Sequence, residues 1–235
     1  MNLYNNDYIN IINTLDKVDL ILTDPPYEII SSGGGMMKQE GREFLNELQD
    51  LDIDTGFDVK GFLNNTLPLF ESIEHYNGVY FCSRLQLYDY LTFAIENKLQ
   101  YGILVWHKTD PPPLINNKYL NNIEFIIYIK GNKVKIYGDY HTKSLVYRSP
   151  INRKDKELYE HPTIKPLDLI NKLVTNHSKE NDIVLDCFMG SGTTGVSCSH
   201  LDRNFIGVEL TEKYFNIAKR RINESKKNDL SELFG

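Results

Sequence analysis

The chain has 235 residues and a mass of 27.3 kDa, with 41% hydrophobic and 25% charged residues, values that argue against a disordered, fibrous or membrane protein. A chain of this length buries about 70–75% of its unfolded surface, so its core needs no disulfide or metal staple. The net charge of −6 conceals an asymmetry: residues 1–75 carry 14 Asp/Glu against 4 Lys/Arg, whereas residues 130–156 carry 8 Lys/Arg against 2 Asp/Glu.

The first residues, Met1 to Asp7, have neither the cationic start nor the apolar stretch of a signal peptide, and no apolar run is long enough to span a bilayer, so a cytoplasmic protein is expected. Residues 18–23 read as a short buried strand. Residues 31–55, with three consecutive glycines and no clean period, are too long for an idle connection and read as a mobile functional loop. A helical pattern follows at 57–73, a strand at 78–83, a helix at 85–97 and strands at 101–106 and 123–129. The stretch Asp110-Pro111-Pro112-Pro113 reads as a loop. Arg84, Trp106 and Lys108 follow strand ends, with Trp106 the one that also fits a core. In the basic run 130–156, Tyr137, Tyr140, His141 and Tyr147 are interleaved with the cations, a pattern that suits phosphates and stacked bases or, equally, a solvated hairpin. Helix 166–178, strand 183–187, helix 192–201, strand 204–209 and helix 211–226 complete the chain, the last helix ending in Lys/Arg as the helix dipole favours. Strands alternating with helices predict an α/β fold with an open, doubly wound, mostly parallel sheet. The cysteines Cys82, Cys187 and Cys198 lack C-x-x-C spacing and the histidines lack ligand spacing, so neither a disulfide nor a metal is expected.

Two motifs carry chemistry. The apolar strand ending at Asp186 and Cys187 runs into Phe188-Met189-Gly190-Ser191-Gly192-Thr193-Thr194-Gly195, and Glu209 closes the next strand. Glycines allow a tight turn with close backbone approach, and an acid at the next strand end binds ribose hydroxyls, which is the dinucleotide fingerprint. A diphosphate, however, would be repelled by Asp186, and few residues follow Glu209 to complete a dinucleotide domain. S-adenosylmethionine has a ribose for Glu209, an ammonium group for Asp186 and no phosphate, so the turn fits it better. The second motif, Asp24-Pro25-Pro26-Tyr27, ends strand 18–23. Paired prolines fix the backbone and remove two amide donors, and the flanking acid and ring can present a carboxylate, a carbonyl and an aromatic face to one planar ligand. A flipped-out base with an exocyclic amine requires that combination.

With these motifs in this order, about 160 residues apart, and with His161-Pro162-Thr163-Ile164-Lys165-Pro166 ahead of the second, the sequence resembles a β-class S-adenosylmethionine-dependent DNA amino-methyltransferase of the N6-adenine/N4-cytosine family. The resemblance covers most of the chain. It implies a Rossmann-like class I methyltransferase fold of seven strands, one of them reversed, with circularly permuted motif order. The segment near Leu3 would lie beside 204–209, and 183–187 beside 18–23 at the centre, which brings both motifs to one sheet edge. Residues 1–235 would form a single catalytic domain, with a short target-recognition insertion at about 130–160.

By the same resemblance, Asp24, Pro25, Pro26 and Tyr27 are catalytic. Phe188, Gly190, Ser191 and Gly192 shape the donor pocket, Asp186, Thr193 and Thr194 line it, and Glu209 holds the ribose. Lys165, with Thr163, reaches the donor carboxylate. Asp7 bonds the donor adenine, or else caps a helix. Hydrogen bonds from the target amine to the Asp24 carboxylate and Pro25 carbonyl would localise the nitrogen lone pair, while Tyr27 stacks on the extruded base. The expected substrate is adenine N6 in double-stranded DNA, because Asp at the first motif position favours adenine. Cytosine N4, an RNA substrate and a silent DNA-binding subunit are the alternatives. A restriction-modification or phage setting fits the family, and a homodimer is one assembly the resemblance allows.

Overall fold

The structure, a computed structural model, describes residues 1–27, 57–111, 119–159 and 164–234. The 31–55 segment, Pro112, Pro113 and residues 161–163, Thr163 included, lie outside the described residues. In chain order the elements are β1 (Asn2–Asn5), α1 (Tyr8–Ile12), β2 (Leu20–Thr23), α2 (Val59–Thr66), β3 (Asn77–Cys82), α3 (Leu87–Glu96), β4 (Gln100–Lys108), β5 (Ile123–Lys130), β6 (Val146–Ser149), α4 (Arg153–Leu158), α5 (Leu167–His177), β7 (Ile183–Asp186), α6 (Thr193–His200), β8 (Asn204–Glu209) and α7 (Glu212–Phe234).

Among the described residues, eight strands form one sheet in the order β1-β8-β7-β2-β3-β5-β4-β6. All neighbours are parallel except those of β5, which runs antiparallel to both β3 and β4. The expected neighbours are present: Leu3 sits opposite Gly207, and Ile21 opposite Leu185. The sheet has eight strands where seven were expected. The addition is β6, which pairs with β4 at the edge, Val105 opposite Val146 and Lys108 opposite Ser149. Its sequence, Val-Tyr-Arg-Ser, is short, polar and partly exposed, so it carries no apolar alternation of its own.

The central strands alternate between two apolar layers. Ile21, Tyr80, Cys82 and Leu185 face α1, α2 and α3, packing on Ile12, Phe62, Leu63, Tyr90 and Phe93. Leu20, Leu22, Val79, Phe81 and Val184 face α5, α6 and α7, packing on Leu169, Leu173, Val196, Ala218 and Ile222. Both faces of β2 and β3 are buried, which explains runs that are apolar throughout. The helix expected at 57–73 stops early. Asp58 caps its start by accepting from the Gly61 N–H at 2.8 Å, and Pro68 converts its end into a 3₁₀ turn at Leu67–Leu69.

The reversed strand determines what reaches the site. β5 starts at the sheet edge where β2, β3, β7 and β8 end, and it finishes at the opposite edge. There Lys133 pairs with Glu74 at 3.0 Å and the Gly131 N–H donates to the Tyr76 carbonyl at 2.7 Å. The chain then climbs α5, with the Tyr137 N–H on the Asn176 carbonyl at 2.8 Å and Lys172 over the Tyr147 ring at 6.0 Å, and returns to the first edge through β6. The basic run is therefore divided between two edges.

Candidate active site

The donor turn is built where β7 ends. Asp186, 4% exposed, accepts from the Thr23 hydroxyl at 2.6 Å and the Phe188 N–H at 3.1 Å. Burial pushes its carboxyl up to about 6, against the opposing hydrogen bonds from Thr23 and Thr194. Gly190 (φ +49°) and Gly192 (φ +81°) take the left-handed backbone of the turn, and a Cβ on Gly192 would lie 2.9 Å from Ala218 Cβ. Conformation and space both require glycine there. Glu209 spans the turn, Oε2 accepting from the Gly190 N–H and Oε1 from the Thr211 N–H, each at 2.9 Å. Each Glu209 oxygen keeps acceptor capacity for a further donor, and in Asp186, where Thr23 and Phe188 both donate to Oδ1, the remaining capacity lies on Oδ2. The pair Asp186 and Glu209 can therefore hold an ammonium group and a diol on one ligand. Burial raises Glu209 as well.

The other expected donor residues divide into two sets. Phe188 packs in an aromatic group with Tyr8, Phe57 and Phe62, ring centroids 5.0, 5.4 and 5.7 Å away. Thr194 is buried beside Asp186. Ser191 and Thr193 are buried and accept from Arg221 of α7, whose Nη1 lies 2.8 Å from the Ser191 carbonyl, 2.9 Å from Ser191 Oγ and 3.2 Å from Thr193 Oγ1. Asp7 caps α1, accepting from the Ile9 N–H at 3.0 Å, at the edge where Asn5 sits opposite Glu209. The cap is thus the contact the structure gives it.

The second turn leaves β2 beside the first. Asp24 Oδ2 lies 2.7 Å from Lys165 Nζ, while Asp24 Oδ1 is buried with no hydrogen-bond partner among the described residues. Gln86 Nε2 donates to the Pro26 carbonyl at 2.8 Å and fixes the proline pair, in which Pro25 is buried. The Tyr27 hydroxyl donates to Glu124 Oε1 at 2.8 Å. Glu124 also receives Lys165 Nζ on Oε1 and Lys108 Nζ on Oε2, the latter at 2.9 Å. Burial alone would raise Glu124, but the two ammonium groups overcome it and hold the carboxyl at about 2. Lys165 is raised by Asp24 and Glu124 in spite of its burial. Asp24 shares one cation with a better-placed rival, and its burial outweighs that cation and raises its pKa.

Lys165 therefore meets Asp24 and Glu124 rather than standing alone at the donor turn. Sequence reading missed Glu124, Thr23, Gln86 and Arg221. For Glu124 a signal existed, as the lone acid in the apolar run 123–129; for Arg221, one cation among several on its helix, none did. Trp106 is core, 3% exposed, with its Nε1 on Ser149 Oγ at 2.9 Å, and Arg84 is exposed. Of the basic run, exposed Lys143, Arg148 and Lys154 lie on the stretch that climbs to and crosses the site edge. Among the described residues no group of three or more His, Cys, Asp or Glu is placed to hold a metal ion.

Two strand-end turns meet at one edge of a doubly wound sheet, one suited to a nucleoside bearing an ammonium group and the other to a planar amine. That edge places the protein among the Rossmann-like class I methyltransferases. Residues 18–220 match the family model described as DNA methylase. The chain is 30% identical over 227 residues to the Type II methyltransferase M2.LlaDCHI of Lactococcus lactis subsp. cremoris, covering 89% of this chain and 83% of that relative. It is 31% identical over 225 residues to M2.DpnII of Streptococcus pneumoniae, covering 88% and 83%. The crystal structure of an M1.HpyAVI–SAM complex superimposes with a TM-score of 0.71 at 32% identity, over 94% of this chain and 98% of that one. The chain belongs to the N6/N4 DNA methylase family.

Proposed function

We propose that the protein methylates the exocyclic N6 of an adenine in double-stranded DNA, the base being turned out of the helix to reach Asp24. The observation that carries this reading is the Asp24 carboxylate: one oxygen is tied to Lys165 and the other is buried and unpartnered among the described residues, beside the donor turn. A buried acceptor without a donor costs about 1–3 kcal/mol, a cost that an arriving amine N–H would relieve. S-adenosylmethionine is the methyl donor and supplies an electrophilic methyl on a sulfonium centre. Asp186 receives its ammonium group and Glu209 its ribose hydroxyls.

Asp24 Oδ1 and the Pro25 carbonyl accept the two N–H bonds of the amine, which turns its lone pair out of the ring. Tyr27, held through its hydroxyl by Glu124, forms an aromatic wall for the base. Lys165 orients Asp24. With its pKa raised by burial, Asp24 is also placed to take the proton that the amine sheds. Asp at the first motif position favours adenine over cytosine. The chain acts as one catalytic domain, and within the basic run 130–156 the stretch 143–156 reads the target, with exposed cations on phosphates.

The test is incubation with unmethylated duplex DNA and labelled S-adenosylmethionine, followed by nucleoside mass spectrometry. N6-methyladenine is expected. N4-methylcytosine would keep the site chemistry and overturn the base assignment, and donor binding without any methylated nucleoside would overturn both.

Asp186 gives a second expected result. Its folded pKa, about 6, lies above the ordinary carboxyl value of 3.8, so its protonated form stabilises the fold below about pH 4 and that contribution is lost as pH rises through 6. Asp186→Asn keeps an acceptor for Thr23 and Phe188 and removes the buried charge. At pH 8 it is expected to raise unfolding stability by up to about 3 kcal/mol, with no gain at pH 4, while donor affinity falls by about tenfold or more. Urea denaturation at the two pH values and calorimetric titration of the donor read both effects. Equal stability changes at pH 4 and pH 8 would refute the buried-charge account.

A further inference from the structure

Arg221 is a buried cation, 5% exposed, that the chemistry above does not use. On one side its Nη1 holds Ser191 and Thr193, the two turn residues that fix the entry into α6. On the other side its guanidinium carbon lies 4.3 Å from the centroid of the Tyr159 ring, and Nη2 lies 3.7 Å from Asp155 Oδ2. Asp155 is itself fixed by Asn152, whose Nδ2 donates to Oδ2 at 2.8 Å and whose side-chain oxygen caps α4. One planar group therefore bridges the donor turn and the 152–159 segment, which carries Arg153, Lys154 and Lys156 at the site edge.

We propose that Arg221 is a positioning residue that couples the donor turn to the basic 152–159 segment, so that ordering either one orders the other; this rests on the reading of the turn as the donor site. The reasoning is one of desolvation. A guanidinium this deeply buried is tolerated only where its charge is met and its faces are covered. Asp155 and the Tyr159 ring supply that cover, and they leave Nη1 aimed at the turn. Without the ring, water reaches the guanidinium, its hydrogen bonds to Ser191 and Thr193 are competed away, and the turn loosens. By reciprocity, contacts that hold 152–159 in place tighten the donor.

The experiment is calorimetric titration of the full-length protein with S-adenosylmethionine, for wild type, Tyr159→Ala, Tyr159→Phe, Arg221→Lys and the Tyr159→Ala/Arg221→Lys double variant. Tyr159→Ala is expected to raise the donor Kd about three- to tenfold. Tyr159→Phe keeps the ring face over the guanidinium but loses the hydroxyl's hydrogen bond to Arg221, so it restores part of the affinity, and the double variant binds no more weakly than Arg221→Lys alone. A general loss of stability would instead lower the binding stoichiometry at constant Kd. An unchanged Kd in Tyr159→Ala, or additive losses in the double variant, overturns the coupling while wild-type binding upholds the donor site. A wild-type protein that does not bind the donor overturns both.

Discussion

Asp24→Ala is expected to lower the methyl-transfer rate by on the order of 10³-fold while changing the donor Kd less than about twofold. The carboxylate lies at the end of β2, and its buried Oδ1 has no partner among the described residues to lose. Removing it takes away an acceptor that matters when the amine nitrogen changes shape, and the donor turn, built from β7, β8 and α6, keeps Asp186 and Glu209 in place. Asp24→Asn sharpens the test. The amide keeps the shape and one acceptor oxygen but loses the charge and the capacity to accept a proton, and it sets an uncharged group against Lys165. If hydrogen bonding alone prepares the amine, Asp24→Asn retains most of the rate. If the charge and the proton matter, it falls nearly as far as alanine, which is the result expected from a carboxylate whose burial raises its basicity. Single-turnover methylation with nucleoside readout and donor titration separate the outcomes; a donor Kd that rises in step with the loss of rate would remove Asp24 from the chemistry and assign it to donor binding.

Both turns were legible in the sequence because each is local: a strand, a few residues with unusual backbone demands, and an acid at a fixed offset. Gly190 and Gly192 take the positive φ values that the glycine pattern implies, and the pairing of β7 with β2 follows once both motifs must share an edge. What the sequence did not display depends on direction. Glu124 reaches Tyr27, 97 residues away in the chain, only because β5 runs backwards and so begins at the site edge. Forward, the same apolar run would carry Glu124 to the opposite edge. Likewise, a charge count over 130–156 cannot tell that Lys133 belongs with Glu74 at the far edge while Arg148 and Lys154 stand near the site. The 57–73 helix failed for a simpler reason, since Pro68 interrupts a pattern whose apolar spacing continues past it.

Glu124→Ala is the substitution expected to cost most in stability, about 3–5 kcal/mol, because it leaves the buried ammonium group of Lys165 and the partly buried one of Lys108 without the carboxylate they share. The pH dependence has a definite sign. With a folded pKa of about 2 against an ordinary 4.5, Glu124 stabilises the fold above about pH 4.5, and that contribution is lost as pH falls toward 2. The gap between wild type and Glu124→Gln in urea denaturation is therefore expected to be widest near neutrality and to close as the pH approaches 2 to 3. Adding Lys108→Met to Glu124→Ala should recover part of the loss, since removing both members of a buried pair costs less than orphaning one. In catalysis the variant acts through its neighbours. Lys165, released by Glu124, concentrates on Asp24 and makes it a poorer acceptor, and Tyr27 loses the anchor of its hydroxyl. A fall in kcat of about 10- to 100-fold with the donor Kd unchanged is expected. Wild-type stability in Glu124→Ala at pH 7, or an equal stability gap at pH 7 and pH 3, would show that the two lysines are hydrated and that no buried charge network supports Asp24 and Tyr27.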